Sequence, residues 1–415
     1  MKTTSKLLLP FLLAFTACTP RTPVAMKLVE SEMSRVPQAW QLDFKQQLKW
    51  SYAAGVELMG MYDACDYYGA PEGFDAWALS WCDTMVCTDG TINTYKASDE
   101  NLDNICSARL FFRALEETGD AKYRAALDSV FLQFTHQPRN AEGGFWHKRI
   151  YPEQMWLDGL YMAQPFYARY LATFPDAVQA VNANLGENPY SLGWDDIVLQ
   201  FRLVAQHTFD PASCLYRHAW DASGEQTWAE AGNGKSPHSW GRAMGWYAMA
   251  LVDVLDWFPA EQTQGCDMLT GILNIVLTGI EHAQDPESGL WYQVLDSPGR
   301  KGNYLESSCS AMFVYAIAKA VRGGFADEHY MDVAQRGWDA LKKHFVTTDN
   351  GSGLTSYEGT CSVAGLGGNP YRDGTFEYYL SEPVRANDPK GIGPFLMASV
   401  QMDKYAAEHP GKRKK

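Results

Sequence analysis

Apolar residues recur at three- and four-residue spacing along ten stretches of the chain: Phe44–Met61, Asn101–Thr118, Ala121–Thr135, Trp156–Ala172, Trp194–Thr208, Arg242–Trp257, Cys266–Gln284, Ser307–Val321, Tyr330–Phe345 and Ile392–Glu408. That spacing predicts helices, because a strand that is half buried alternates every second residue instead. Sustained alternation is scarce, and Gly, Pro, Asp and Asn punctuate the links. Arg242–Trp257 and Ser307–Val321 are apolar on more than one side. Helices of that kind belong to an inner layer with other helices outside them.

A weak internal echo organises the helices. Glu142–Arg149 (EGGFWHKR), Ser213–Asp221 (SCLYRHAWD), Ser288–Asp296 (SGLWYQVLD) and Ser352–Gly359 (SGLTSYEG) share a turn-forming lead and an aromatic or polar body. From Phe145 through Leu215 and Leu290 to Leu354 the steps are 70, 75 and 64 residues, and each segment falls between helices. Repeated helical hairpins whose connections share one face produce such an echo. The expected fold is therefore all-α, a closed double layer of helices or (α/α) toroid, with an open superhelix as the alternative.

Length and composition narrow the picture. At 415 residues the chain suffices for one large domain or two to three ordinary ones, and no low-complexity linker divides it. It is 46% hydrophobic and 20% charged with 14 Trp and 22 Tyr, a globular and aromatic composition. A net charge of -14 argues against a nucleic-acid partner, which needs clustered Lys and Arg. It leaves an acidic sugar open, since one local cation outweighs a distant acidic surface. The basic end Gly411–Lys415 reads as a solvated tail.

The first residues read as an export signal: Lys2 and Lys6, then the short apolar run LLLPFLLAF, then TAC ending at Cys18. The small residues before Cys18 resemble a lipoprotein cleavage box, although Phe15 replaces the usual aliphatic residue. The expectation is a signal peptide over 1–17, a lipid on Cys18, a tether over 18–35, one catalytic domain over 36–408 and a tail over 409–415. Ordinary secretion is the alternative. The lipid would place the protein in the periplasm or on the surface of a bacterium, with membrane contact through the anchor only. Export permits disulfides among the other eight cysteines, but no Cys/His set has zinc spacing. Cys106, Cys266 and Cys309 read first as small buried hydrophobes.

Four segments are too polar for their apolar settings. Asp103 lies just inside a helix start, where capping alone explains an aspartate. Asp158 follows Trp156 and leads into Leu160, Tyr161, Met162, Phe166 and Tyr167. Burial among them favours the protonated carboxyl, although a plain first-turn aspartate fits as well. Pro165 should kink that helix or shift its boundary. His147 and Lys148 adjoin Trp146, and His218 precedes Trp220 and Asp221. Arg242 and Trp246, four residues apart, share a helix face. Asp253 and Asp256 lie too far down that helix to neutralise Arg242, so its partner is either internal, such as Asp103 or Asp221, or an anionic ligand. Aromatic rings beside carboxylates suit a carbohydrate, with two carboxyls available as acid and base.

The series WHKR, MWLDGLYM, CLYRHAWD, SPHSWGRAMGWYAMALVDVLDWFP, SGLWYQVLD, GNYLESSCSAMFVYAIAKAVRGG and GIGPFLMASV, in this order, resembles the unsaturated rhamnogalacturonyl hydrolases of glycoside hydrolase family 105. The resemblance runs from about Val36 to Ala407. It implies an (α/α)6 barrel and an exo-acting enzyme. The implied substrates are short oligosaccharides released by polysaccharide lyases, bearing a 4-deoxy-4,5-unsaturated uronic acid at the nonreducing end. It puts the general acid/base on Asp158 and a second carboxylate on Asp103. His147, Lys148, Trp156, His218, Arg242 and Trp246 fall on substrate-pocket positions, His218 the least securely. No metal or cofactor is implied, and a monomer is expected. Unsaturated glucuronyl hydrolases share the barrel and the chemistry. A glycan-binding lipoprotein on a retired barrel is the non-enzymatic alternative, which the presence of both aspartates opposes. The run Phe174–Asp196, rich in turn formers, reads as an insert able to reshape the pocket beyond the unsaturated ring.

Overall fold

The computed structural model describes residues 22–186 and 190–411. Fourteen helices carry the described fold. They are α1 (Val24–Arg35), α2 (Tyr52–Tyr68), α3 (Phe74–Met85), α4 (Arg109–Thr118), α5 (Ala121–Leu132), α6 (Leu157–Thr173), α7 (Pro175–Ala183), α8 (Trp194–Thr208), α9 (Gly241–Leu255), α10 (Thr263–His282), α11 (Ser307–Arg322), α12 (Tyr330–His344), α13 (Phe376–Ser381) and α14 (Pro389–Glu408).

Six of them form an inner ring. α2 packs on α14, α14 on α11, α11 on α9 and α9 on α6. α6 and α2 then meet across the short turn Cys106–Ala108 that leads into α4. Outside them, α1 and α3 lie against α2 and α4, α5 against α4, α8 against α6, α10 against α9 and α12 against α11, with α3 reached through α4. In chain order outer and inner helices alternate, with α7 and α13 as additions, which is the expected (α/α)6 toroid.

Side-chain patterns explain the layers. Every residue of α9 from Gly241 to Leu255 is buried, and α11 is buried from Ser307 through Ala318. The outer α12 buries only Tyr330, Met331, Val333, Ala334, Gly337, Trp338, Ala340 and Leu341, a single stripe. Ring closure at α2 and α14 depends on two facing glycines. A Cβ on Gly60 would lie 2.4 Å from the Gly393 carbonyl oxygen, and one on Gly393 at 2.4 Å from that of Val56. Only backbone without side chains approaches so closely.

Strands are confined to two-stranded pairings in the connections: Gln154–Trp156 with Ala219–Asp221, Phe209–Asp210 with Leu215–Tyr216, Val346–Thr348 with Thr355–Tyr357, and Thr360–Cys361 with Val384–Arg385. The four echo segments all fall where an outer helix hands over to the next inner one.

Several expectations change. Val24–Arg35, expected within a tether, is helix α1, which buries Ala25, Met26, Leu28 and Val29 against α2 and α14. The run Phe174–Asp196 is not simply loop: Pro175 starts α7, its fixed φ suiting the first helical position. That run leaves the far end of α6, roughly 24 Å from Asp158 at 1.5 Å per residue. It meets the site-side connections from outside, through Tyr190 against Gly143 and Asp196 paired with Arg139. α6 runs through Pro165 unbroken. Asn101–Thr118 is α-helical only from Arg109, with short turns before it. The cysteines among the described residues are all free. Cys18 lies outside the described residues.

Candidate active site

The inner helices direct their N-termini to one end of the barrel. There they bring together Tyr52 of α2, Asp158 of α6, Arg242 of α9, Ser308 of α11 and Lys390 of α14, beside the turn Leu102–Asn104 that precedes α4. Each of these helices points the positive end of its dipole toward this end of the barrel, an arrangement favourable to an anion.

Backbone pairing aligns the connections. Leu102 N donates to His147 O at 3.1 Å, and His147 N donates to Gln154 O at 2.7 Å. Gln154, Met155 and Trp156 pair in register with Asp221, Trp220 and Ala219. Leu157 N donates to His218 O at 3.1 Å. Asp103, His147 and His218, which lie 55, 11 and 60 positions from Asp158 in the chain, are thereby fixed as its neighbours on this stitched set of loops.

Asn101 caps the 102–104 turn, its side chain accepting from Asp103 N at 3.0 Å. The Asp103 carboxylate is therefore not consumed by capping. It lies 2.6 Å from Lys148 Nζ and 3.4 Å from His147 Nε2. Burial works to raise its pKa, but Lys148 and His147 outweigh burial and hold it below the ordinary carboxylate range. His147, 2% exposed, is pushed down to about 4, chiefly by burial and against the pull of Asp103, and so is neutral at pH 7. Asp103 also faces a cleft of about 460 Å³ shared with Lys49, Tyr52, Val363, Arg385 and Lys390.

Asp158 is 9% exposed in the first turn of α6. Its Oδ2 lies 3.1 Å from Nε2 of the fully buried His218, whose Nδ1 is 2.8 Å from the Tyr379 hydroxyl. Trp156 stacks with His147 at 4.6 Å and Tyr151 at 5.1 Å and meets His218 edge-on at 5.3 Å. One turn below Arg242, Trp246 stacks on Tyr161 at 4.7 Å and touches Tyr52 edge-on at 6.4 Å.

Arg242, 1% exposed, has an internal partner, and it is neither Asp103 nor Asp221. Its Nε donates to Ser308 Oγ at 2.9 Å, and Nη2 reaches Glu306 Oε1 at 3.4 Å and the Cys361 carbonyl. Glu306 caps α11, accepting from Cys309 N at 2.7 Å, and also accepts from Cys361 N at 2.9 Å. Asp221 is engaged in its own loop by Ser223 and Gln226. Asp253 belongs to the other end of the barrel, with Arg109 at 2.8 Å and Lys319 at 2.7 Å.

Four buried polar atoms of this site have no hydrogen-bond partner among the described residues: His147 Nδ1, Asp158 Oδ2, His218 Nε2 and Arg242 Nη1. Native proteins rarely leave such atoms unsatisfied, and here all four belong to residues at the same end of the barrel. The eight residues singled out in the sequence thus lie at one end of the barrel. Sequence reasoning missed Tyr52, Tyr151, Glu306, Arg372 and Tyr379. Of these, only Glu306, immediately before SSCSAMF, carried a local signal, that of a helix cap. Arg372 donates to the Tyr151 hydroxyl at 2.7 Å, with its guanidinium 6.0 Å from the Trp156 ring centre.

A double helical ring with two carboxyls, two histidines and stacked aromatics at one end defines a carbohydrate-processing barrel. Residues 24–406 match Glycosyl Hydrolase Family 88. The chain belongs to this family, within the superfamily of families 88 and 105, and is a glycoside hydrolase. It is 30% identical to unsaturated rhamnogalacturonyl hydrolase YesR of Bacillus subtilis (strain 168) over 291 residues, 68% of this chain and 73% of that one. Protein Atu3128 of Agrobacterium fabrum is 41% identical over 213 residues, 50% of this chain and 89% of that one. Among solved structures, a family 105 glycoside hydrolase from C. acetobutylicum ATCC 824 superimposes with a TM-score of 0.83 at 37% identity, covering 92% of this chain and 99% of that one. An unsaturated glucuronyl hydrolase specific for heparin shares the fold, with a TM-score of 0.63 at 10% identity.

Proposed function

We propose that this enzyme removes the nonreducing-end 4-deoxy-4,5-unsaturated galacturonyl residue from rhamnogalacturonan oligosaccharides left by polysaccharide lyases. Membership of the superfamily supports an unsaturated uronic-acid hydrolase, and the likeness to YesR favours the rhamnogalacturonan side. The single observation that carries the chemistry is Asp158 Oδ2 facing His218 Nε2 at 3.1 Å, two buried atoms without other partners.

In this reading Asp158 delivers a proton to C4 of the enol ether. Cationic character develops at C5, and water, deprotonated by the Asp158 carboxylate, adds there. The resulting hemiketal opens and expels the remaining sugar. No covalent glycosyl-enzyme is formed, so no second carboxylate at nucleophile distance is required. Asp103, kept ionised by Lys148, accepts from a ring hydroxyl. Neutral His147 and the His218 imidazole add hydrogen bonds, and Trp156 and Trp246 wall the ring. Because Glu306 already matches the Arg242 charge, Arg242 meets the uronate through Nη1, assisted by the N-termini of the inner helices.

The protein as proposed is exported and held to a bacterial membrane by a lipid on Cys18, acting as a monomer. No described helix is long and apolar enough to cross a membrane. Loss of the absorbance of the unsaturated bond, followed on lyase-digested rhamnogalacturonan, ulvan and chondroitin with D158N as control, tests the function. The expected result is fastest loss on the rhamnogalacturonan digest and a drop of roughly 10³-fold in D158N. Faster turnover of the ulvan or chondroitin digest would move the substrate to a glucuronyl one. A folded D158N with wild-type turnover would remove Asp158 from the chemistry.

A further inference from the structure

Tyr379 lies in α13, a short helix of the last connection, and is fully buried. Its ring stacks against Trp240 at 6.1 Å, and its carbonyl accepts from Gln293 Nε2 at 3.2 Å. These contacts hold the hydroxyl in place 2.8 Å from His218 Nδ1, the one hydrogen-bond partner it has among the described residues. His218 is equally confined, by Trp156 on one edge, Trp240 at 4.9 Å and its backbone bonds to His238 and Leu157.

We propose that Tyr379 is a positioning residue that fixes the tautomer of His218: the phenol donates to Nδ1, so the imidazole carries its hydrogen on Nε2, the nitrogen 3.1 Å from Asp158 Oδ2. This rests on the reading of Asp158 as the acid. A phenol has one hydrogen to give. Were His218 protonated on Nδ1, the hydroxyl would accept, and its own hydrogen would be left without a hydrogen-bond acceptor among the described residues. Stranding a buried donor costs about 1–3 kcal/mol. Burial drives the Tyr379 hydroxyl well above the ordinary phenol range, so it remains a donor throughout the working pH.

The consequence is chemical. With an N–H on Nε2 only 3.1 Å from Oδ2, the transferable proton of Asp158 belongs on Oδ1, and that oxygen protonates C4. After transfer, the same Nε2–H stabilises the carboxylate that must activate water. Tyr379 thus determines which carboxyl oxygen is the acid without touching the substrate.

The test uses the full chain with ¹⁵N-labelled histidine, where long-range proton–nitrogen correlations distinguish the two neutral tautomers, and His218→Gln assigns the signal. The wild type should show His218 protonated on Nε2. Tyr379→Phe should show both tautomers, a kcat about 10- to 100-fold lower and a KM within about 2-fold. A wild-type His218 protonated on Nδ1 overturns the proposal without any variant. So does a Tyr379→Phe enzyme that keeps both the wild-type tautomer and the wild-type kcat. D158N, assayed in parallel, separates the two failures. An active D158N removes the reading of Asp158 itself, whereas an inactive D158N beside an unaffected Tyr379→Phe removes only the role of Tyr379.

Discussion

Lowering the pH from 7 to 4.5 should destabilise the folded enzyme through one side chain of the site. His147 is 2% exposed, stacked on Trp156, and held down to about 4 by burial. An unfolded histidine titrates near 6.5. Between those two values the unfolded chain takes up a proton that the folded one refuses, so stability is complete above about 6.5 and drains away as pH falls toward about 4. The loss from pH 7 to 4.5 is roughly 2.5 kcal/mol. The neighbouring Asp103 does not contribute in this window. Its carboxyl lies below the ordinary range, so its stabilising effect is lost only at lower pH. Urea unfolding followed by tryptophan fluorescence at the two pH values, on the wild type and on His147→Gln, measures the effect. Glutamine keeps a donor for Asp103 but does not titrate, so its loss of stability should be smaller by roughly 2.5 kcal/mol. Equal losses in both proteins would refute the argument that His147 is buried in its neutral form.

Two other substitutions probe the supports of the site. Arg242→Ala should destabilise the fold by about 3–5 kcal/mol, because it leaves the fully buried Glu306 without its cation. Adding Glu306→Gln should recover part of the midpoint in urea but not the turnover. Gly159→Ala should lower turnover by about 10-fold or more while the barrel stays folded. Its methyl would lie 3.0 Å from His147 Nδ1 and 3.1 Å from Leu102 Cδ1, pressing on a ring already stacked against Trp156. Wild-type turnover in that variant would show that the placement of His147 is not critical.

The helical layer was legible wherever burial alone dictates it. Trp194–Thr208 and Ser307–Val321 were read almost to the residue, because the apolar pattern persists to each end. It failed where tertiary pairing overrides local pattern. Leu102–Ala108 has helical spacing, yet its backbone bonds to the His147 connection and to its own short turns instead. α1, α3, α7 and α13 were missed, and α2 lies later than Phe44–Met61 suggested. In the site, Asp103, His147, Lys148, Trp156, Asp158, His218, Arg242 and Trp246 stand in motifs that can be read one at a time. Tyr379 lies 161 residues from His218, and nothing local announces that the two meet. Arg242 shows the same limit. Its local sequence posed the need for a counter-charge, while the answer, Glu306, comes from another helix.

The most direct test of the account is the fate of the double bond in deuterated water. Turnover of a lyase-generated rhamnogalacturonan disaccharide should destroy the unsaturated absorbance and place one solvent deuterium on C4 of the released uronate, and D158N should do neither at a comparable rate. Release of an intact unsaturated uronate with no deuterium at C4 would mean ordinary glycoside hydrolysis and would contradict protonation of C4 by Asp158.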